Sequence, residues 1–261
     1  MTQNILMEVC IDSVESALNA IRGGANRLEL CGNVGLGGGT TPSFGLVRII
    51  QRAVESFQVP IMVMIRPRTG DFLYSESEMQ VMLEDIRIFK EMAGVEGFVF
   101  GVLTKEGRVD VTRTRRLIDA SLPARVCFHR AFDMTRDPME ALNDIKEIDG
   151  VTRILSSGQY KSASQTESLE TLASLLIATR NSNLTIMPGS GINPYTVRHV
   201  VNTLAPLGLS EIHLSGGRWI EGGMIFRREG MGMGIGAEGD WGIWQTDEGV
   251  IREVRALLES M

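Results

Sequence analysis

Met7-Glu8-Val9-Cys10-Ile11-Asp12-Ser13 and, one amphipathic stretch later, Arg27-Leu28-Glu29-Leu30-Cys31 spell out a strand, a helix and a second strand. The apolar run at Leu6 reads as a short buried strand. Asp12 or Ser13 is an N-cap for a helix over 13–22, which Gly23-Gly24 ends. Outward from this unit the same alternation continues along the chain. Strand-like runs begin near Leu6, Arg27, Pro60, Gly97, Ala124, Thr152, Thr185 and Glu211. Their mean spacing is about 29 residues, close to the size of one strand–helix unit. Helical stretches fill the intervals: 43–56 behind Pro42, 75–92 opened by the capping-box pair Ser75 and Glu78, then 110–121, 138–148, 167–180, 194–204 and 247–258. Eight strands, each followed by a helix, predict an α/β chain folded as one (β/α)8 TIM barrel domain over 1–261. A doubly wound open sheet is the competing arrangement. It lacks its nucleotide fingerprint, since no G-x-G-x-x-G follows the first strand.

The composition fits such a domain. The 261 residues are 43% apolar and 22% charged, ordinary values for a packed core. The net charge of −6 disfavours nucleic acid as a partner, because phosphate neutralisation needs a basic surface. Apolar strings such as Ile61 to Ile65 are too short to span a bilayer. Residues 1–4 carry no basic run and Glu8 interrupts the apolar stretch behind them, which predicts no signal peptide and a cytoplasmic chain. Three cysteines, Cys10, Cys31 and Cys127, are neither a disulfide framework nor a Cys-x-x-Cys metal ribbon.

In a (β/α)8 barrel, chemistry sits where strands end. Side chains alternate in and out along a strand, so if Val9, Leu28 and Leu30 face the helices, Glu8, Cys10, Glu29 and Cys31 face the barrel axis. Two buried carboxylates require cationic partners. Arg66 at the end of the third strand, His129 at the end of the fifth and His213 in the eighth share the inward parity and are the expected partners. Asp133, four residues beyond His129, is placed to orient its imidazole. These groups, Glu8, Glu29, Arg66, His129 and Asp133, are the candidate acid–base and anion-holding residues. An ion network that only balances charge at the mouth is the alternative.

Cys10 and Cys31 end neighbouring strands, about 4.8 Å apart in a sheet. Two thiols so placed suit one copper(I) ion, a soft metal that prefers thiolate. They equally suit two small buried apolar residues. Gly189-Ser190-Gly191 follows the seventh strand and Ser215-Gly216 the eighth, where barrels commonly cradle phosphate through backbone N–H groups. Turn glycines alone explain the same residues. Residues 216–242 hold ten glycines, and Met231-Gly232-Met233-Gly234 lies among them. This segment is expected as a mobile loop over the mouth, its methionines either apolar contacts or soft-metal ligands. No lysine stands in a strand core or at its last residue, which disfavours a Schiff-base lysine, and no G-x-S-x-G elbow occurs.

The blocks Met7 to Ser13, Arg27 to Cys31, Met64-Ile65-Arg66-Pro67-Arg68, Gly70-Asp71-Phe72-Leu73-Tyr74-Ser75 and Phe128-His129-Arg130-Ala131-Phe132-Asp133 resemble those of the CutC copper homeostasis family, with Gly191-Ile192 and Met224 to Arg227 fitting later blocks. The resemblance implies a (β/α)8 barrel, a cytoplasmic protein, a homo-oligomer (dimer or tetramer), and copper tolerance with copper(I) held by the cysteines matching Cys10 and Cys31. The chain departs from the family pattern at Gly189-Ser190-Gly191, where three glycines are usual, and in the 216–242 segment, where only Arg227 carries over. Two functions are thus expected: copper(I) binding or buffering, and, as the alternative, an enzyme acting on a small phosphorylated or carboxylated metabolite.

Overall fold

The computed structural model describes residues 5–36 and 38–261. Its main sheet contains eight parallel strands: β1 (Leu6–Ile11), β2 (Arg27–Leu30), β3 (Ile61–Met64), β4 (Val95–Phe100), β5 (Arg125–Phe128), β6 (Val151–Ser156), β7 (Thr185–Pro188) and β8 (Glu211–Leu214). They alternate with eight helices: α1 (Val14–Arg22), α2 (Phe44–Val54), α3 (Glu76–Lys90), α4 (Val111–Ser121), α5 (Pro138–Lys146), α6 (Thr166–Thr179), α7 (Val197–Leu204) and α8 (Glu248–Glu259). The strand order is β7-β6-β5-β4-β3-β2-β1-β8. The first strand therefore pairs with both the second and the eighth, which curls the sheet into a nearly closed TIM barrel. Among the described residues no ladder joins β7 to β8, the two ends of the ring.

The helix starts follow from their caps. Ser13 Oγ accepts from Ser16 N, and Ser75 and Glu78 form both halves of a capping box at α3. Strand alternation then sorts the apolar residues into two cores. Met7, Val9, Leu28, Leu30, Val63 and Phe98 point outward into the shell between sheet and helices. Cys31, Met62, Met64, Val99, Cys127, Leu155 and Met187 fill the barrel itself, with Cys10 packed against them. Flexible methionines suit this irregular interior. Among the described residues no helix is long and apolar enough to cross a membrane.

The glycine-rich segment is not simply the loop expected. It leaves the barrel as β9 (Gly217–Glu221) and returns as β10 (Gly242–Thr246), an antiparallel pair with Trp219 opposite Trp244. The two indoles meet edge to face at 5.5 Å, and a cross-strand aromatic pair of this kind holds a hairpin in register. The glycines between them masked this pattern in the sequence. The return strand is tied to the barrel, because Thr246 N donates to Ser16 Oγ and Asn19 Nδ2 donates to Thr246 O.

Candidate functional site

A cavity of about 800 Å³ opens at the C-terminal end of the strands. Cys10, Glu29, Cys31, Arg66, His129 and His213 all line it. Glu8 does not; it lies deeper, 1% exposed, because it stands two residues earlier than Cys10 on β1. Glu8 thus turns inward to Arg27 and His213, as its parity predicts, but stays below the mouth.

The register fixes what surrounds Glu8. Its Cα partners are Arg27 on β2 and His213 on β8. Arg27 Nε donates to Glu8 Oε2, while Arg27 Nη2 pairs with Glu211, which also accepts from Arg153 Nε at 3.0 Å. His213 Nδ1 stands 2.8 Å from Glu8 Oε1. The cationic partners of Glu8 are therefore Arg27 and His213. Arg66 and His129, expected in that role, lie elsewhere on the rim. Arg27, Arg153 and Glu211 were missed in the sequence, although Arg27 carries a legible signal: it shares the inward parity of Glu29.

This network divides the two glutamates. Burial alone would raise the Glu8 carboxyl, but the His213 hydrogen bond and the Arg27 charge outweigh it and lower the pKa to about 2. For Glu29, burial prevails and the charge of Glu8 adds to it, so that carboxyl is raised. Burial by itself would lower His213; Cys10, Glu29 and Glu8 together hold it well above the usual histidine range.

Above this pair lie the donor groups of the mouth. Single atoms of Cys10, Glu29 and His213 all approach within 4.8 Å of one another. His213 Nε2 stands 3.7 Å from Glu29 Oε2, which also receives the Cys31 thiol at 3.5 Å. All three cysteines are free, and burial pushes each thiol up. Cys31 is roofed by Gly39, whose missing Cβ would meet Cys31 Sγ at 2.8 Å and whose φ is +72°. Only glycine takes that backbone at that distance without strain.

Arg66 closes the same loop from β3. Its Nη1 donates to Gly39 O at 3.0 Å and its Nη2 to Gly70 O at 3.2 Å, with the guanidinium over the Phe72 ring. His129 caps the short turn Arg130–Met134, its Nδ1 accepting from Ala131 N at 3.1 Å. Burial and then the Arg66 charge drive its pKa down to about 3. Asp133 does not orient this imidazole. Its carboxylate accepts instead from Ser156 Oγ, Ser157 N and Gln159 N, and pairs with Arg130. The buried amides at the end of β6 offered it more donors than one imidazole could.

The glycine turns divide similarly. Ser190 and Gly191 line the cavity, both with positive φ, and Ser215 lines it too. Gly189 packs against Leu155 and His213, and its N–H is already given to Ser156 O. Gly216 packs against Ile251 on the outer side. The two glycines farthest into the strand ends thus serve close packing.

Comparison with known proteins places this geometry. A profile of the CutC family matches residues 5–218. The copper homeostasis protein cutC homologs of Mus musculus and Homo sapiens are each 42% identical over 257 residues, covering 98% of this chain and 90% of theirs. A family protein CutC of Vibrio vulnificus is also 42% identical and covers 98% of both chains. The crystal structure of a CutC from Streptococcus agalactiae superposes with a TM-score of 0.73 at 28% identity, covering 81% of this chain and 98% of that one. A solved 2,3-dimethylmalate lyase, at 12% identity and a TM-score of 0.51, shares the fold alone.

Proposed function

The chain belongs to the CutC family, and from this premise we propose that it handles copper by binding copper(I) at the barrel mouth, through Cys10 and Cys31 beside Glu29 and His213. The observation that carries this reading is the cluster of Cys10, Glu29 and His213 donors within 4.8 Å, with the Cys31 thiol on Glu29. Copper(I) is soft and takes thiolate first, imidazole second. Glu8 supports the imidazole from behind: by holding Nδ1 it turns Nε2 toward Glu29, the outer-shell arrangement that fixes ligating histidines. The thiols are protonated before the ion arrives, so binding exchanges each proton for the metal, and the Glu29 oxygen beside Cys31 is placed to accept one.

The same reading makes the protein cytoplasmic and a homo-oligomer. Three free cysteines suit a reducing compartment. The exposed Ile225, Phe226 and Met233 beyond β9 suit contact with a second copy.

The test is an anaerobic copper(I) titration against a competing chromophoric chelator. Wild type takes up about one ion per chain, and Cys10→Ser with Cys31→Ser loses that uptake, since hydroxyl is a poor ligand for a soft ion. Equal affinity in wild type and double variant shows that the thiols only pack.

A further inference from the structure

The cavity is far larger than one metal ion needs; about 800 Å³ is the size of pockets that hold small organic molecules. Two of its lining groups are polar and buried, and each keeps one atom without a hydrogen-bond partner. His129 is 3% exposed, and its Nε2 has no hydrogen-bond partner. Its Nδ1 already accepts from Ala131 N, and the ring is neutral, so Nε2 carries the proton and is a donor. Glu29 is also 3% exposed, and its Oε1 has no partner, although Oε2 is engaged by Cys31. Leaving such atoms unsatisfied is costly, and native structures do so mainly where something else completes them.

The two residues that carry these atoms line different walls of the cavity. Glu29 rises from β2 and His129 follows β5, three strands farther round the ring. The His129 wall also carries the Arg66 charge, so it offers an oxyanion a neutral N–H in a positive field. The Glu29 wall offers one carboxyl oxygen, which a hydroxyl satisfies in either protonation state. Met64 and Leu155 line the cavity too, and suit a short carbon skeleton.

We propose that this mouth binds a small organic oxyanion carrying a hydroxyl at a distance from its acidic group, the acid seated at His129 and Arg66 and the hydroxyl on Glu29 Oε1. The site is independent of copper, though it shares Glu29 with the thiol cluster. The acidic group is a carboxylate or a phosphate monoester, and the experiment separates them.

The experiment is calorimetric titration of the full chain, metal-free in the presence of chelator. The probes are the terminal hydroxyacids from 3-hydroxypropanoate to 6-hydroxyhexanoate, the unsubstituted acid of each length, and glycerol 3-phosphate. At least one hydroxyacid, or glycerol 3-phosphate, binds, and a hydroxyacid that binds outdoes its unsubstituted partner by roughly tenfold or more, the worth of a hydrogen bond to a buried carboxyl. Binding of the hydroxyacid assigns the carboxylate; binding of glycerol 3-phosphate alone assigns the phosphate. Equal binding of substituted and unsubstituted acids overturns the proposal, as does no binding by any probe. His129→Leu abolishes binding while His129→Gln, which keeps an N–H donor, restores part of it; copper(I) uptake is unchanged in both. Loss of copper uptake in Cys10→Ser with Cys31→Ser while the hydroxyacid still binds keeps the two readings apart.

Discussion

Arg27 is the residue on which the barrel interior turns. It is buried to 2% exposure, and it is the shared partner of Glu8 and Glu211. Arg27→Met removes one half of a buried ion pair and leaves Glu8 with His213 alone and Glu211 with Arg153 alone. The expected loss is about 3–5 kcal/mol, read as a lowered urea midpoint. A midpoint within experimental scatter of wild type means that the network contributes nothing. Glu8 also sets an acid limit. Its folded pKa of about 2 lies below the ordinary 4.5, so the carboxylate stabilises the fold above that ordinary value. This contribution fades as pH falls from 4.5 toward about 2. The urea midpoints of wild type and Glu8→Gln therefore converge over that interval and stay separated at neutral pH. The raised His213 acts in the opposite direction: its stabilisation is complete below the ordinary 6.5 and is lost as pH rises through its folded value. Glu8→Gln should also weaken copper(I) uptake by roughly 10–100-fold, as outer-shell partners of ligating histidines do. Unchanged uptake would separate the ion network from the metal site.

At the scale of elements, the β9–β10 hairpin is held at its base and free at its tip. Trp244 packs against Gly35, four residues before the Gly39 that roofs Cys31, so the base of the hairpin lies close in sequence to the cover of the thiol. Residues 224–236 are exposed throughout. Limited proteolysis should therefore cut within 224–236 first, and the barrel should keep its cooperative unfolding after the cut. Trp244→Ala should quicken amide exchange at residues 32–36, beside Gly35, while changing that of β4 and β5 little. Uniformly faster exchange everywhere would make the hairpin part of the core instead. The elements were legible from spacing because most helices carry their own cap, as Ser75 and Glu78 do at α3, while α6 and α7 have no side-chain cap. The hairpin was not legible, since its register rests on two tryptophans separated by a long glycine-rich span, and pairing across such a span is a tertiary event.

For the whole molecule, the seam between β7 and β8 is the weak line of the ring. Among the described residues these strands share no ladder, and β7 ends in Pro188, which has no N–H to give. Amides of β7 and β8 that face the seam should exchange faster than those of β2 and β3, which are paired on both sides. Equal protection around the ring would show that the barrel is closed in solution.

The chain alone determined the eightfold alternation, the inward parity of Glu8, Cys10, Glu29 and Cys31, and the resemblance that the family match bears out. These are local properties, carried by period, caps and short blocks of residues. Tertiary structure decided which charges meet. Glu8 takes Arg27 and His213 because strand register brings their Cα positions together, whereas Arg66 is turned to the Gly39 and Gly70 carbonyls by the loops it closes. It also decided that Asp133 serves the β6 amides and that His129 keeps one buried nitrogen without a partner. Parity tells which way a side chain points; only the stagger of strands around the barrel tells at what depth it arrives and what waits there.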